Sequence, residues 1–149
     1  MTIVLLDSGP LGLVTNPSGS LQALQCKQWL QFLLSSGYRV LIPEIADYEV
    51  RRELLRANKL KGIQRLDNLK AAIGYLPITT ETMLKAAEFW AESRQQGQPT
   101  ADAKSLDGDV ILAAQANNIS IQGQNVVIAT TNVSHLTRFV QAKIWHEIV

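Results

Sequence analysis

Leu106-Asp107-Gly108-Asp109-Val110-Ile111-Leu112-Ala113-Ala114-Gln115-Ala116 sets two carboxylates, one residue apart, at the head of an apolar, alanine-rich run. Val110, Ile111, Ala113, Ala114 and Ala116 predict a helix that is apolar on most sides and therefore buried. The free N–H groups and the dipole at a helix start favour a carboxylate there. That accounts for one Asp and poorly for two, because like charges this close raise each other's pKa unless a cation lies between them. The question for the rest of the chain is whether other carboxylates meet the same point.

The strands on either side answer it. Thr2-Ile3-Val4-Leu5-Leu6 is a continuous apolar run without alternation, the pattern of a central parallel strand covered on both faces. It runs into Asp7-Ser8-Gly9-Pro10, which is either turn chemistry or an acid at the carboxyl end of a strand, where open α/β sheets place their ligands. A helix is expected from Asn16-Pro17-Ser18 to Ser36, with Leu21, Leu24, Trp29, Leu30, Phe32, Leu33 and Leu34 near helical spacing and Gly37 ending it. Tyr38–Ile42 reads as the second strand, and Pro43 opens the next helix. Glu49 lies on that helix between apolar Ile45 and Leu54, which turns it inward, while Glu53, Arg51, Arg52 and Arg56 suit helix-surface pairs.

Further along, Leu60–Ile73 has a helical face, Tyr75–Ile78 a short strand placed at an edge by its Pro, and Thr80 an N-cap for a helix reaching Gln96-Gly97. The Met83 and Trp90 positions on that helix read as core. Residues 98–105 read as a polar loop. Val126–Ala129 is again a continuous apolar strand, followed by Thr130-Thr131-Asn132, a short helical or loop segment at Ser134–Phe139, and a last strand at Ala142–Trp145. The order β-α-β-α-α-β-α-α-β-β predicts a three-layer α/β/α fold with a mostly parallel central sheet.

Composition sets bounds on this reading. The 149 residues suit a single domain, with 46% hydrophobic and 18% charged residues. A net charge of +1 gives no broad electrostatic footprint for nucleic acid or membrane. The lone cysteine, Cys26, excludes an internal disulfide, fits a reducing compartment and reads as a packed thiol. Met1–Leu6 lacks the basic start of a signal peptide, and no apolar run approaches the roughly 18 residues a membrane span needs. A cytoplasmic protein is expected.

Asp7, Glu49, Asp107, Asp109 and Asn132 are far apart in sequence, yet strand-to-helix junctions would bring them to one carboxyl edge. Carboxylates gathered there repel unless a hard cation neutralises them, and oxygen-only ligands suit Mg²⁺ or Mn²⁺. His135 and His146 are not spaced as a zinc site, and no glycine-rich phosphate loop is present.

With these residues in place, the chain resembles the PIN-domain family, and within it the VapC-like toxins of bacterial toxin–antitoxin pairs. The resemblance rests on Asp7 after the first strand, Glu49 in the helix after the second, Asp109 followed by Val-Ile-Leu-Ala-Ala-Gln-Ala, and the late Thr-Thr-Asn strand end. It covers nearly the whole chain and implies a Mg²⁺-dependent or Mn²⁺-dependent ribonuclease. Asp7, Glu49 and Asp109 match the metal-binding acids. Asp107 is an additional acid that would join them as a metal ligand, and Asn132 stands where the family often carries a fourth Asp. Ser8, Thr131 and Asn132 would complete the surroundings of the metal or hold substrate, and Arg51, Arg52 and Lys104 are candidates for the RNA backbone. The resemblance further implies a homodimer and a cognate antitoxin lying over the acidic cleft, with the helices at 60–73 and 80–96 as possible surfaces. Two other readings stand beside it. The neutral Asn132 fits a catalytically decayed RNA- or protein-binding module, and Asp7 fits the nucleophile of a phosphotransfer domain, although Lys143 follows the wrong strand for that chemistry.

Overall fold

The computed structural model describes residues 1–96 and 103–149, with backbone alone at 103–106. Its elements in chain order are β1 (Thr2–Leu6), α1 (Ser8–Thr15), α2 (Leu21–Ser35), β2 (Arg39–Pro43), α3 (Glu44–Arg56), α4 (Leu60–Ala72), β3 (Gly74–Leu76), α5 (Thr80–Gln95), α6 (Ala103–Ser120), β4 (Asn125–Thr130) and β5 (Ala142–Ile144). A short 3₁₀ turn, Trp145–Glu147, follows. The strands form one sheet in the order β3-β2-β1-β4-β5, and every neighbouring pair is parallel.

The unbroken apolar runs of β1, β2 and β4 are explained by what covers them. Val4, Leu6, Val40, Ile42, Val127 and Ala129 face a layer that includes Leu11 of α1, Leu33 of α2, Val50 of α3 and Leu66 of α4. Ile3, Leu5, Leu41, Val126 and Ile128 face the other way, onto Leu112, Ala116 and Ile119 of α6. Helix α5 then packs Ala86 and Phe89 on Val110, Ala113 and Ala114 of α6. Helix α6 is thus enclosed between the sheet and α5, which is why its sequence is apolar on most sides. Cys26 is buried and its thiol is pushed up to about 12 by desolvation, which makes it a packed, inert group.

Several boundaries differ from the sequence reading for local reasons. Asp7-Ser8-Gly9-Pro10 is not a free turn but the start of α1: the Asp7 carboxylate accepts from the Ser8 N–H, and Pro10 falls in the first turn, where its missing N–H costs nothing. The next helix starts at Leu21 rather than near Pro17, because Ser20 caps it through the Ala23 N–H. Thr79, not Thr80, caps α5. Helix α6 begins at Ala103, so Asp107 and Asp109 lie in its second turn and helix-start capping does not explain them. The expected polar loop at 98–105 falls largely outside the described residues, as does the Lys104 side chain. Met83 and Trp90 are 47% and 41% exposed rather than core, because α5 buries the neighbouring stripe Thr82, Ala86, Phe89 and Ser93. Leu21, Leu24, Phe32 and Leu34 on α2 are likewise exposed.

Candidate metal centre at the carboxyl edge of the sheet

Asp7 directly follows β1, and its own N–H donates to the Ala129 carbonyl of β4 at 2.9 Å. Both of its carboxylate oxygens are held. Oδ1 accepts from the Ser8 N–H at 2.7 Å, and Oδ2 accepts from the Thr130 hydroxyl at 2.8 Å. Burial still wins: desolvation holds the Asp7 pKa above the ordinary carboxylate value, although the Thr130 and Ser8 hydrogen bonds pull it back.

Glu49 reaches the same place from α3 and Asp109 from α6. The Glu49 pKa is pushed up to about 7, first by burial, then by the charge of Asp7, with Asp109 adding and Arg52 opposing. That of Asp109 is pushed up to about 6, by burial and by Asp7, with His135 opposing. Three acids therefore feel one another across a desolvated cleft. Gly108 is what lets α6 approach α3 this closely: a Cβ on it would stand 2.7 Å from Glu49 Oε2. Gly9 does the same at the start of α1, where a Cβ would meet Thr131 Cγ2 at 2.6 Å.

The other expected residues divide. Ser8 lies beside the acids, its N–H donating to the Asp7 carboxylate that caps α1, and it lines a groove of about 510 Å³ together with Glu49, Arg52, Arg56 and Lys59. Thr131 is exposed and packs on Gly9. Asn132 is exposed, and its side-chain oxygen accepts from the Ser134 N–H at 3.1 Å and the Ser134 hydroxyl at 2.8 Å. It shapes its own turn, and its backbone N–H donates to the Thr130 hydroxyl that in turn donates to Asp7. Asp107 is a correction to the expected ligand set. Two residues along a helix turn the side chain by about 200° from Asp109, and Asp107 is exposed beside Met83, Trp90 and Val110. Arg51 is tied to buried Asp47 at 2.8 Å and to exposed Asp67 at 2.7 Å, which occupies its guanidinium away from the acids Asp7 and Asp109.

Thr130 escapes sequence reasoning: it holds Asp7, yet only the pairing of Leu6 with Ala129 reveals that it stands opposite. The Nδ1 of His135 is buried with no hydrogen-bond partner among the described residues.

The donor set is oxygen-only at the three acids, which suits a hard divalent cation, and the raised pKa values show what such a charge would relieve. As they stand, among the described residues, no three acidic, imidazole or thiol side chains close on one point at coordination range.

This parallel sheet with helices on both faces has counterparts among solved structures. VapBC2 from Rickettsia felis, bound to a DNA fragment from its promoter, matches with a TM-score of 0.71 and 15% identity, covering 95% of this chain and 97% of that one. VapBC-1 from nontypeable Haemophilus influenzae matches at 0.71 and 16%, covering 97% and 98%. The chain has the PIN-domain fold of the VapC toxins. FitAcB from Neisseria gonorrhoeae shares this PIN-type fold at a TM-score of 0.69 and 18% identity, covering 97% of this chain and 99% of that one. No family sequence model and no curated protein sequence matches the chain.

Proposed function

We propose that the protein is a metal-dependent ribonuclease, the toxin of a toxin–antitoxin pair acting in the cytoplasm. The observation that carries this is the convergence of Asp7, Glu49 and Asp109 in one desolvated cleft of a PIN-domain fold. Asp7 and Asp109 would hold a Mg²⁺ or Mn²⁺ directly, and Glu49 would hold it directly or through water. When bound, such a cation would supply Lewis-acid polarisation of a phosphodiester oxygen and activation of water. The chain's own residues supply the rest. The Thr130 hydroxyl and the Ser8 N–H fix the Asp7 carboxylate in one orientation. Arg52, Arg56 and Lys59 line the groove leading away from Glu49, where the phosphate backbone of RNA would lie.

The structures of similar fold are VapBC2, VapBC-1 and FitAcB, the first of them on promoter DNA. That supports an antitoxin as partner for this chain, and a homodimer belongs to the same reading. Among the described residues no helix is long and apolar enough to cross a membrane.

The deciding experiment is an RNA cleavage assay with Mg²⁺ or Mn²⁺, comparing the wild type with Asp7→Asn and Asp109→Asn and including a chelator control. Cleavage by the wild type alone, abolished by the chelator, is expected. Equal cleavage by Asp7→Asn would remove the assignment. A second reading, a catalytically decayed binding module, is favoured by Asn132, whose side chain is neutral and engaged with Ser134. Folded wild-type protein that binds no Mn²⁺ would support that alternative.

A further inference from the structure

We propose that the cavity where the end of β3 meets the start of α5 and the second half of α6 binds a small aliphatic amine, seated on the side-chain oxygen of Gln115. The inference stands apart from the metal-dependent reading, since it uses none of Asp7, Glu49 and Asp109.

The cavity has a volume of about 290 Å³, and its lining includes Leu76, Glu81, Thr82, Gln115, Asn118 and Ile119. Gln115 follows Asp109 by six residues on α6, which sets it roughly 9 Å further along the axis and turns it by about 240°. The cavity is therefore distinct from the acidic cleft. What singles it out is the Gln115 amide, 1% exposed. Its Nε2 donates to the Leu76 carbonyl at 2.9 Å, and this fixes the orientation of the amide, because a carbonyl accepts only from the nitrogen end. The Oε1 is then buried with no hydrogen-bond partner among the described residues. A buried acceptor left in this state in a native fold calls for a donor from outside it.

The neighbours decide what kind of donor. Asn118 spends its Nδ2 on the Thr82 hydroxyl oxygen at 3.0 Å, which leaves its Oδ1 as an acceptor. The Thr79 and Thr82 hydroxyls stand 3.0 Å apart, so one of their protons is spent between them. Glu81 is the one charged residue of the lining among the described residues. The site thus offers acceptors and a negative charge beside the apolar Leu76 and Ile119. An ammonium group has three donors and no acceptor, and a short alkyl body suits the apolar wall. A carboxylate or phosphate would meet oxygens of its own kind. The volume is at the lower end of the range of about 300–1,000 Å³ usual for ligand pockets, which favours an amine of a few carbons over a nucleotide.

The test follows the Gln115 side-chain amide and the Ile119 backbone amide by ¹⁵N nuclear magnetic resonance while the whole chain is titrated with pentylamine. A parallel titration with pentanol keeps the alkyl body and removes the charge. An amine also meets the acids at the sheet edge, so the titration is repeated on Asp109→Asn. Saturable shifts at both positions are expected with pentylamine, unchanged in Asp109→Asn and about tenfold weaker with pentanol. Gln115→Met keeps the volume and removes the acceptor, and should weaken binding about tenfold or more, read at Ile119. Glu81→Gln changes an exposed residue that the fold does not depend on, and should weaken binding about two- to fivefold. No saturable shift in the wild type up to about 100 mM pentylamine leaves the cavity to water and overturns the proposal. Pentanol binding as tightly as pentylamine overturns the amine as its ligand, and wild-type affinity in folded Gln115→Met overturns the seat.

Discussion

Gly108 lies between Asp107 and Asp109, and the space it leaves is filled by Glu49 Oε2. Alanine there is good for the helix, since glycine in a helix interior is worse by roughly 0.5–1 kcal/mol. The atom it would strike is the far end of a flexible side chain, so the fold can absorb the change by moving the Glu49 carboxylate. Gly108→Ala should therefore melt at or slightly above the wild-type temperature while losing about tenfold in Mn²⁺ affinity. Unchanged affinity would show that Glu49 is not held at the ion in this position. Thr130 makes the complementary case. Thr130→Val keeps the shape but removes the hydroxyl that donates to Asp7 Oδ2, at a cost of about 1.5–3 kcal/mol for a hydrogen bond to a charged group. Thr130→Ser should recover most of that loss in urea denaturation. If serine fails to rescue, the hydroxyl is not what matters.

At the scale of elements, α1 is the informative case. Its sequence, Ser8–Thr15, contains Gly9, Pro10 and Gly12, and is too short to be stable by itself. What forms it is the cap at Asp7 and the burial of Leu11 and Val14 against the sheet. Asn is as good an N-cap as Asp, whereas Ala is not. Both Asp7→Asn and Asp7→Ala remove the desolvated charge, so the difference between them isolates the cap: Asp7→Asn should be more stable than Asp7→Ala by about 0.5–2 kcal/mol. Equal thermal unfolding of the two variants would mean that the cap is not what holds the helix. The same element shows where sequence reading stops. The runs at β1, β2 and β4 were legible because burial on both faces leaves an unbroken apolar signature. The acids Asp7, Glu49 and Asp109 were legible because each follows or faces a strand end. Helix α1 was hidden by turn-forming residues whose helix comes from tertiary contact. The misplaced start of α6 assigned Asp107 to the centre, since the rotation of a helix about its axis is not written at its polar end. Thr130 needed the β1–β4 register, a property of the assembled sheet.

The whole molecule carries the consequence of gathering three acids in a desolvated cleft. Asp7, Glu49 and Asp109 all have folded-state pKa values above their ordinary ones, with Glu49 at about 7 and Asp109 at about 6. Between the ordinary carboxylate range and those values the folded chain binds more protons than the unfolded chain. The stability of unfolding must then fall as pH rises through that window. This part of the stability is fully present below about pH 4, where both states are protonated, and is lost by about pH 7–8. Screening by nearby solvent reduces the effect to on the order of 1 kcal/mol, or about 2–4 °C in melting temperature for a chain of this size. A divalent cation at the same carboxylates reverses the sign, because it binds the ionised folded form and stabilises by mass action. Metal-free protein should accordingly melt lower at pH 8 than at pH 5. Excess Mn²⁺ should raise the melting temperature at pH 8 and do little near pH 4, where protons occupy the oxygens. Asp109→Asn, which removes one of the charges, should flatten both trends. A metal-free protein whose melting temperature rises steadily from pH 5 to pH 8, with no added gain from Mn²⁺, would mean that the three carboxylates do not share one site.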